Sequence, residues 1–113
     1  MAEASSKVGK DLVYRGAPAL VAASVDTKTA ASVCQTVDSV IALSYLELYA
    51  ASLGLGTVWD GIAVALAREF PEIEAQFQIP QGCKLSFLMA LGIPDISYQR
   101  TPQRTTDRIT IIR

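Results

Sequence analysis

The chain has 113 residues, half of them hydrophobic, with ten Lys and Arg set against eleven Asp and Glu for a net charge of −1. That length holds one domain with a moderate core. The even charge, with no basic stripe and no acidic block, argues against a nucleic-acid partner and against an acidic disordered tail. Histidine is absent. The usual general base, the Ser-His and Cys-His nucleophile pairs and the commonest metal ligand go with it. The two cysteines, Cys34 and Cys83, stand far apart without CxxC spacing. They make neither a disulfide framework nor an iron–sulfur ligand set, and point to a reducing cytoplasm.

Met1 to Lys10 is small and polar, lacks the apolar core of a signal peptide, and reads as a tail or as the cut end of something longer. Folded structure is expected from residue 11 to residue 113. Leu12 to Tyr14 leads into Arg15-Gly16-Ala17-Pro18, where Gly and Pro mark a turn or the start of a strand. Ala19 to Val25 is a short apolar run whose length predicts a strand buried on both faces. Asp26 to Thr36 reads as a loop, with Thr36 and Asp38 as candidate N-caps for a long helix from Val37 to Leu53. Apolar residues lie round most of that helix, so a second subunit is expected to help cover it. Asp38, Ser39, Ser44, Glu47 and Ser52 interrupt the stretch from Val37 to Leu55 and disqualify it as a membrane span. Glu47, in greasy surroundings, needs a hydrogen-bond partner if buried, and a structural bond outweighs catalysis.

Gly54 is a plausible end to the helix. Thr57 to Trp59 is a short extended piece, Gly61 to Arg68 is helical, and Pro71 opens another short helix through Phe77. Ile79-Pro80-Gln81-Gly82 forms a turn, and Leu85 to Leu91 makes a second buried strand ended by Gly92-Ile93-Pro94. Tyr98 to Thr106 is a polar loop. Ile109 to Ile112 would make a terminal strand with no partner in this chain, free to join another sheet edge.

Four of these segments together resemble the nitroreductase family. Arg15-Gly16-Ala17-Pro18-Ala19-Leu20-Val21 is similar to the start of one of its strands. The helix from Asp38 to Ala51, followed by Ser52-Leu53-Gly54-Leu55-Gly56-Thr57-Val58-Trp59-Asp60-Gly61, resembles its flavin-contacting turn. Ile79-Pro80-Gln81-Gly82 and Leu91-Gly92-Ile93-Pro94 resemble its later turn and strand. Tyr98-Gln99-Arg100-Thr101-Pro102-Gln103-Arg104 resembles its basic closing loop. The matches run in family order from Val13 to Arg104. The tyrosine-rich helix and the Tyr-x-Arg-x-Pro-x-Arg ending look most like the branch often fused to a ferredoxin domain.

The resemblance implies an α+β fold with a mixed sheet between helices, an intertwined homodimer, FMN at the dimer interface, and electrons from NAD(P)H or another reductant. It implies hydride transfer through the flavin to a nitroaromatic, quinone or similar acceptor, for which a histidine-free chain suffices because the cofactor carries the electrons. Cofactor contacts are expected from Gly54, Leu55, Gly56 and Thr57 along the ring edge, against the alternative of a simple helix cap and turn. Arg100 and Arg104 are expected at the FMN phosphate, against the alternative of solvated surface charge. No catalytic side chain and no metal ligand is assigned. The family's Arg-Arg-Ser-x-Arg start, which grips the phosphate, has no counterpart in Met1 to Arg15. A domain truncated at its N-terminus is therefore expected. Two alternatives follow: a non-catalytic dimeric remnant, or a flavin-binding module that works with a partner.

Overall fold

Three strands and three helices alternate in the computed structural model, which describes residues 11, 13–31, 33–105 and 110–112. In chain order they are β1 (Ala19–Asp26), α1 (Cys34–Ser52), β2 (Gly56–Trp59), α2 (Gly61–Glu69), α3 (Pro71–Glu74) with a 3-10 turn at Ala75–Phe77, and β3 (Cys83–Gly92). The last strand lies in the centre of the sheet, in the order β1-β3-β2, with both pairings antiparallel. Ala19 faces Leu91 and Asp26 faces Cys83 on one side; Gly56 faces Gly92 and Trp59 faces Met89 on the other. A bulge at Ala23/Ser24 shifts the first register.

The central strand is the buried one. Leu85, Ser86, Leu88, Met89 and Ala90 are all buried, on both pleat directions, because α2 and α1 supply cover. Ala63, Val64 and Ala67 of α2 close over Leu85 and Leu88 to form the core cluster, with Tyr14, Ile73, Phe77 and Phe87 at its margin. The expectation that Ala19 to Val25 is buried on both faces is corrected. Val21, Ala23 and Val25 are half-buried while Leu20, Ala22 and Ser24 are exposed. As an edge strand, β1 turns one face to the protein and leaves the other open. An apolar run of small residues does not distinguish that situation from full burial.

Helix α1 begins a turn earlier than its sequence suggests. Val33 precedes it without a side-chain cap, so neither Thr36 nor Asp38 caps it. Both lie inside the helix, whose start is tied instead by Cys34 N–H donating to Ala31 O at 2.8 Å and by Ser86 Oγ–H donating to Gln35 O at 3.3 Å. The far end follows the expected glycine rule. Gly54 has φ +77°, and the Gly54 and Leu55 amides donate to Ala51 O and Ala50 O at 3.0 and 2.9 Å. This is the Schellman arrangement, which satisfies the last carbonyls and needs a left-handed residue.

Only Ser39, Leu43 and Ala50 of α1 are buried. Val37, Ile41, Tyr45, Leu48 and Tyr49 are exposed, so an apolar face of the longest helix is uncovered in this chain. Of the expected terminal strand, Thr110, Ile111 and Ile112 are exposed and pair with no strand of this chain, and Ile109 lies outside the described residues. Met1 to Lys10 and Thr106 also lie outside them.

Candidate functional site

A groove of about 710 Å³ opens where three segments converge: residues 13–18, residues 56–62, and residues 90–96 with Tyr98. Its volume falls within the range of small-molecule sites.

The first wall is a turn shaped by one carboxylate. Asp11 Oδ1 accepts from the Val13 and Tyr14 amides at 3.0 and 2.9 Å, and Oδ2 accepts from the Gly16 amide at 3.1 Å. These bonds, the one from Gly16 foremost, hold the Asp11 carboxyl below its ordinary 3.8. Arg15 and Gly16 carry positive φ, 52° and 70°. The turn closes with Ala17 N–H donating to Tyr14 O at 3.0 Å. Tyr14 is thereby held half-buried at the groove, its phenol pushed up from 10.0 by burial first and then by the carboxylates of Asp60 and Asp11. At neutral pH it is a neutral hydroxyl able to donate or accept.

The second wall is β2 and the start of α2. Strand β2 is only four residues long, and a side chain from α1 braces it. Glu47 accepts from Trp59 Nε1–H at 3.0 Å and from Thr57 Oγ1–H at 3.4 Å. Trp59 also meets Phe87 edge-on, with ring centroids 5.2 Å apart and planes at 73°. At the end of this wall Asp60 is buried, caps α2 by accepting from the Ala63 amide at 2.9 Å, and donates its own N–H to Leu88 O at 3.0 Å. The Glu47 bond is the structural one expected for a carboxylate in greasy surroundings.

The floor is the end of β3 and the segment after it. A Cβ at Gly92 would stand 3.3 Å from Pro18 Cδ, which would have to give slightly, and one at Gly56 would stand 3.4 Å from Pro94 Cβ, an ordinary contact.

Among the residues expected to hold a cofactor, Gly56 and Thr57 line the groove. Gly54 and Leu55 form the helix end just outside its lining, and a Cβ at Gly54 would meet open space. Arg100 and Arg104 are exposed and outside the lining, although Tyr98 belongs to it. The cation at the groove is Arg15, which sequence reasoning passed over together with Tyr14 and Asp60. The signal was present in Arg15-Gly16, whose glycine marks a turn, and in Asp60-Gly61 before a helical run, the pattern of an N-cap. Cys34 and Cys83 are free and half-buried. Among the described residues no cluster could hold a metal ion, and no helix is long and apolar enough to cross a membrane.

An α+β fold with a groove at a helix–strand–helix junction defines a class, and comparison with known proteins gives it a family. The model of the Nitroreductase family matches residues 1–93, and the chain belongs to that family. Two solved structures share its fold. A nitroreductase with bound FMN from Bacteroides fragilis NCTC 9343 is 24% identical, with a TM-score of 0.73 over 92% of this chain and 56% of that one. A nitroreductase with bound FMN from Desulfitobacterium hafniense DCB-2 is 22% identical, with a TM-score of 0.69 over 89% of this chain and 54% of that one. The chain therefore spans little more than half the length of either structure. No curated protein matches it.

Proposed function

We propose that this chain is part of an FMN-dependent oxidoreductase of nitroreductase type, with the flavin ring in the groove between β2 and the end of β3. The observation that carries this reading is the groove itself: about 710 Å³, with Gly56 and Gly92 in its lining and an indole in its wall. A planar apolar ring with a polar edge needs a slot of that kind with a few fixed polar groups. Two FMN-bound structures with the same fold support the choice of ligand.

FMN would supply hydride transfer from NAD(P)H to a nitroaromatic, quinone or similar acceptor. The chain's own part is to bind and orient. Gly56 and Thr57, with Gly54 and Leu55 behind them, present backbone to the ring edge. Tyr14 offers a neutral hydroxyl beside it. Arg15 at the groove, with Arg100 and Arg104 in the loop beyond Tyr98, provides guanidinium forks for the phosphate. The exposed apolar face of α1 fits burial against a second copy, and hence the family's homodimer. The Tyr98 to Arg104 loop fits the branch often fused to a ferredoxin domain, and the two unbridged cysteines fit a cytoplasmic setting.

A second reading is a flavin-holding or non-catalytic dimeric module, favoured by Arg15 being the one cation among the described residues of the groove's lining. The visible spectrum of the purified protein mixed with FMN separates them. Flavin absorbance that co-purifies or persists through gel filtration, and bleaches on adding NADH or NADPH, is the expected result. Retained flavin that neither reductant bleaches favours the module. A colourless protein that ignores FMN overturns the flavin site.

A further inference from the structure

We infer that Glu47 is a positioning residue for the groove: from the neighbouring helix it fixes Thr57 and Trp59 on the β2 wall before any ligand arrives. The inference deepens the flavin reading and rests on it only where ligand affinity is concerned. The β2 strand has four residues and lies at the sheet edge, so its ladder to β3 holds one side only. The side chains on it are oriented by other contacts. A carboxylate only accepts, and Glu47 takes the Trp59 indole N–H at 3.0 Å and the Thr57 hydroxyl at 3.4 Å, one on each oxygen. Phe87 meets the indole edge-on, so Trp59 is held by a hydrogen bond from α1 and a ring contact from β3.

Both tethered residues line the groove, and Glu47 does not. Its influence on a ligand therefore runs through them. A glutamine could still accept from the Trp59 indole and donate to the Thr57 hydroxyl, whereas a methionine of similar length offers neither bond.

Trp59 is the sole tryptophan, so its emission reports this tether directly. The experiment compares the 113-residue chain with Glu47→Met, and with Glu72→Met as an exposed control of equal charge change. Three quantities are read: far-UV circular dichroism, Trp59 emission with acrylamide quenching in the ligand-free protein, and FMN affinity. Glu47→Met is expected to keep the wild-type dichroism, shift Trp59 emission to the red and raise its quenching. It should also weaken FMN binding about tenfold, the size of one lost charge-assisted hydrogen bond. Glu72→Met changes none of these.

Wild-type emission and affinity in Glu47→Met overturn the inference, even if the melting temperature falls, since that is the mark of a merely structural residue. If the wild-type chain binds no FMN, the flavin reading fails by itself, and the Trp59 shift still decides for or against the tether. If Glu47→Met does not fold, Trp59→Phe removes the donor and keeps an aromatic ring against Phe87. It is expected to weaken FMN binding by a similar factor, and unchanged affinity overturns the inference.

Discussion

The central strand β3 and the long helix α1 are both rich in apolar residues, and they meet opposite fates. Leu88 and Met89 of β3 are fully enclosed, whereas Tyr45 and Leu48 of α1 are 73% and 71% exposed. The difference lies in what each element has beside it. β3 has a strand on either edge and helices over it, while α1 offers a single buried stripe of Ser39, Leu43 and Ala50 to the sheet. Greasiness in a sequence says that a surface wants cover and says nothing about which chain provides it.

That contrast can be broken by mutation. Leu88→Ala should be the most costly single change, about 2–5 kcal/mol of unfolding free energy, because the site is closed on all sides and cannot collapse; urea melts measure it. A loss below about 1 kcal/mol would mean that β3 is not the core. Leu48→Glu should leave the fold of the chain intact, since the side chain is exposed, and should dissociate the proposed dimer by on the order of a hundredfold. Analytical ultracentrifugation reads the mass, and an unchanged dimer would remove this face from the interface.

Much of the architecture was legible in the sequence, and the misses share a cause. Turn and cap chemistry is local, so Gly54 as a helix end and Pro71 as a helix start follow from single residues. Strand β3 was also evident as a bounded apolar run. The burial of β1 was not, because Ala19 to Val25 reads the same whether one face is covered or two. The start of α1 was missed because it has no side-chain cap to announce it. A local turn back to Ala31 and a tertiary bond from Ser86 set it instead.

At the groove, Gly56 and Thr57 could be picked out from a glycine turn. The glycine turn at Arg15-Gly16 was equally visible, but the place of Arg15 and Tyr14 at the groove was not, since it depends on the Asp11 carboxylate folding three amides around itself and on β1 running back beside the end of β3. Arg100 and Arg104 lie on a loop that this chain alone does not bring to the groove.

Smaller changes sharpen the same picture. Asp60→Ala removes the cap of α2 at the groove and should cost about 1–2 kcal/mol, more than the same change at exposed Asp95; a cost no greater than at Asp95 would deny the cap its role. The smallest effect is expected in acid. Asp11 and Asp26 are both held below 3.8 when folded, Asp11 mainly by the Gly16 amide and Asp26 mainly by the Lys28 amide. A depressed folded value means that their contribution is complete above 3.8 and fades as pH falls through the lower folded values. Both groups are exposed, so Asp11→Asn should flatten the acid limb of the melting curve only slightly. An unchanged limb would show that the turn needs no charge.

Amide chemical shifts of the labelled protein during an FMN titration decide whether the ring lies in the groove. The shifts are expected to concentrate in residues 13–18, 56–62 and 90–96, with the Trp59 indole N–H among the largest. Shifts confined to Gln76–Gln78 and the open face of β1, or no shifts at all, would contradict that placement.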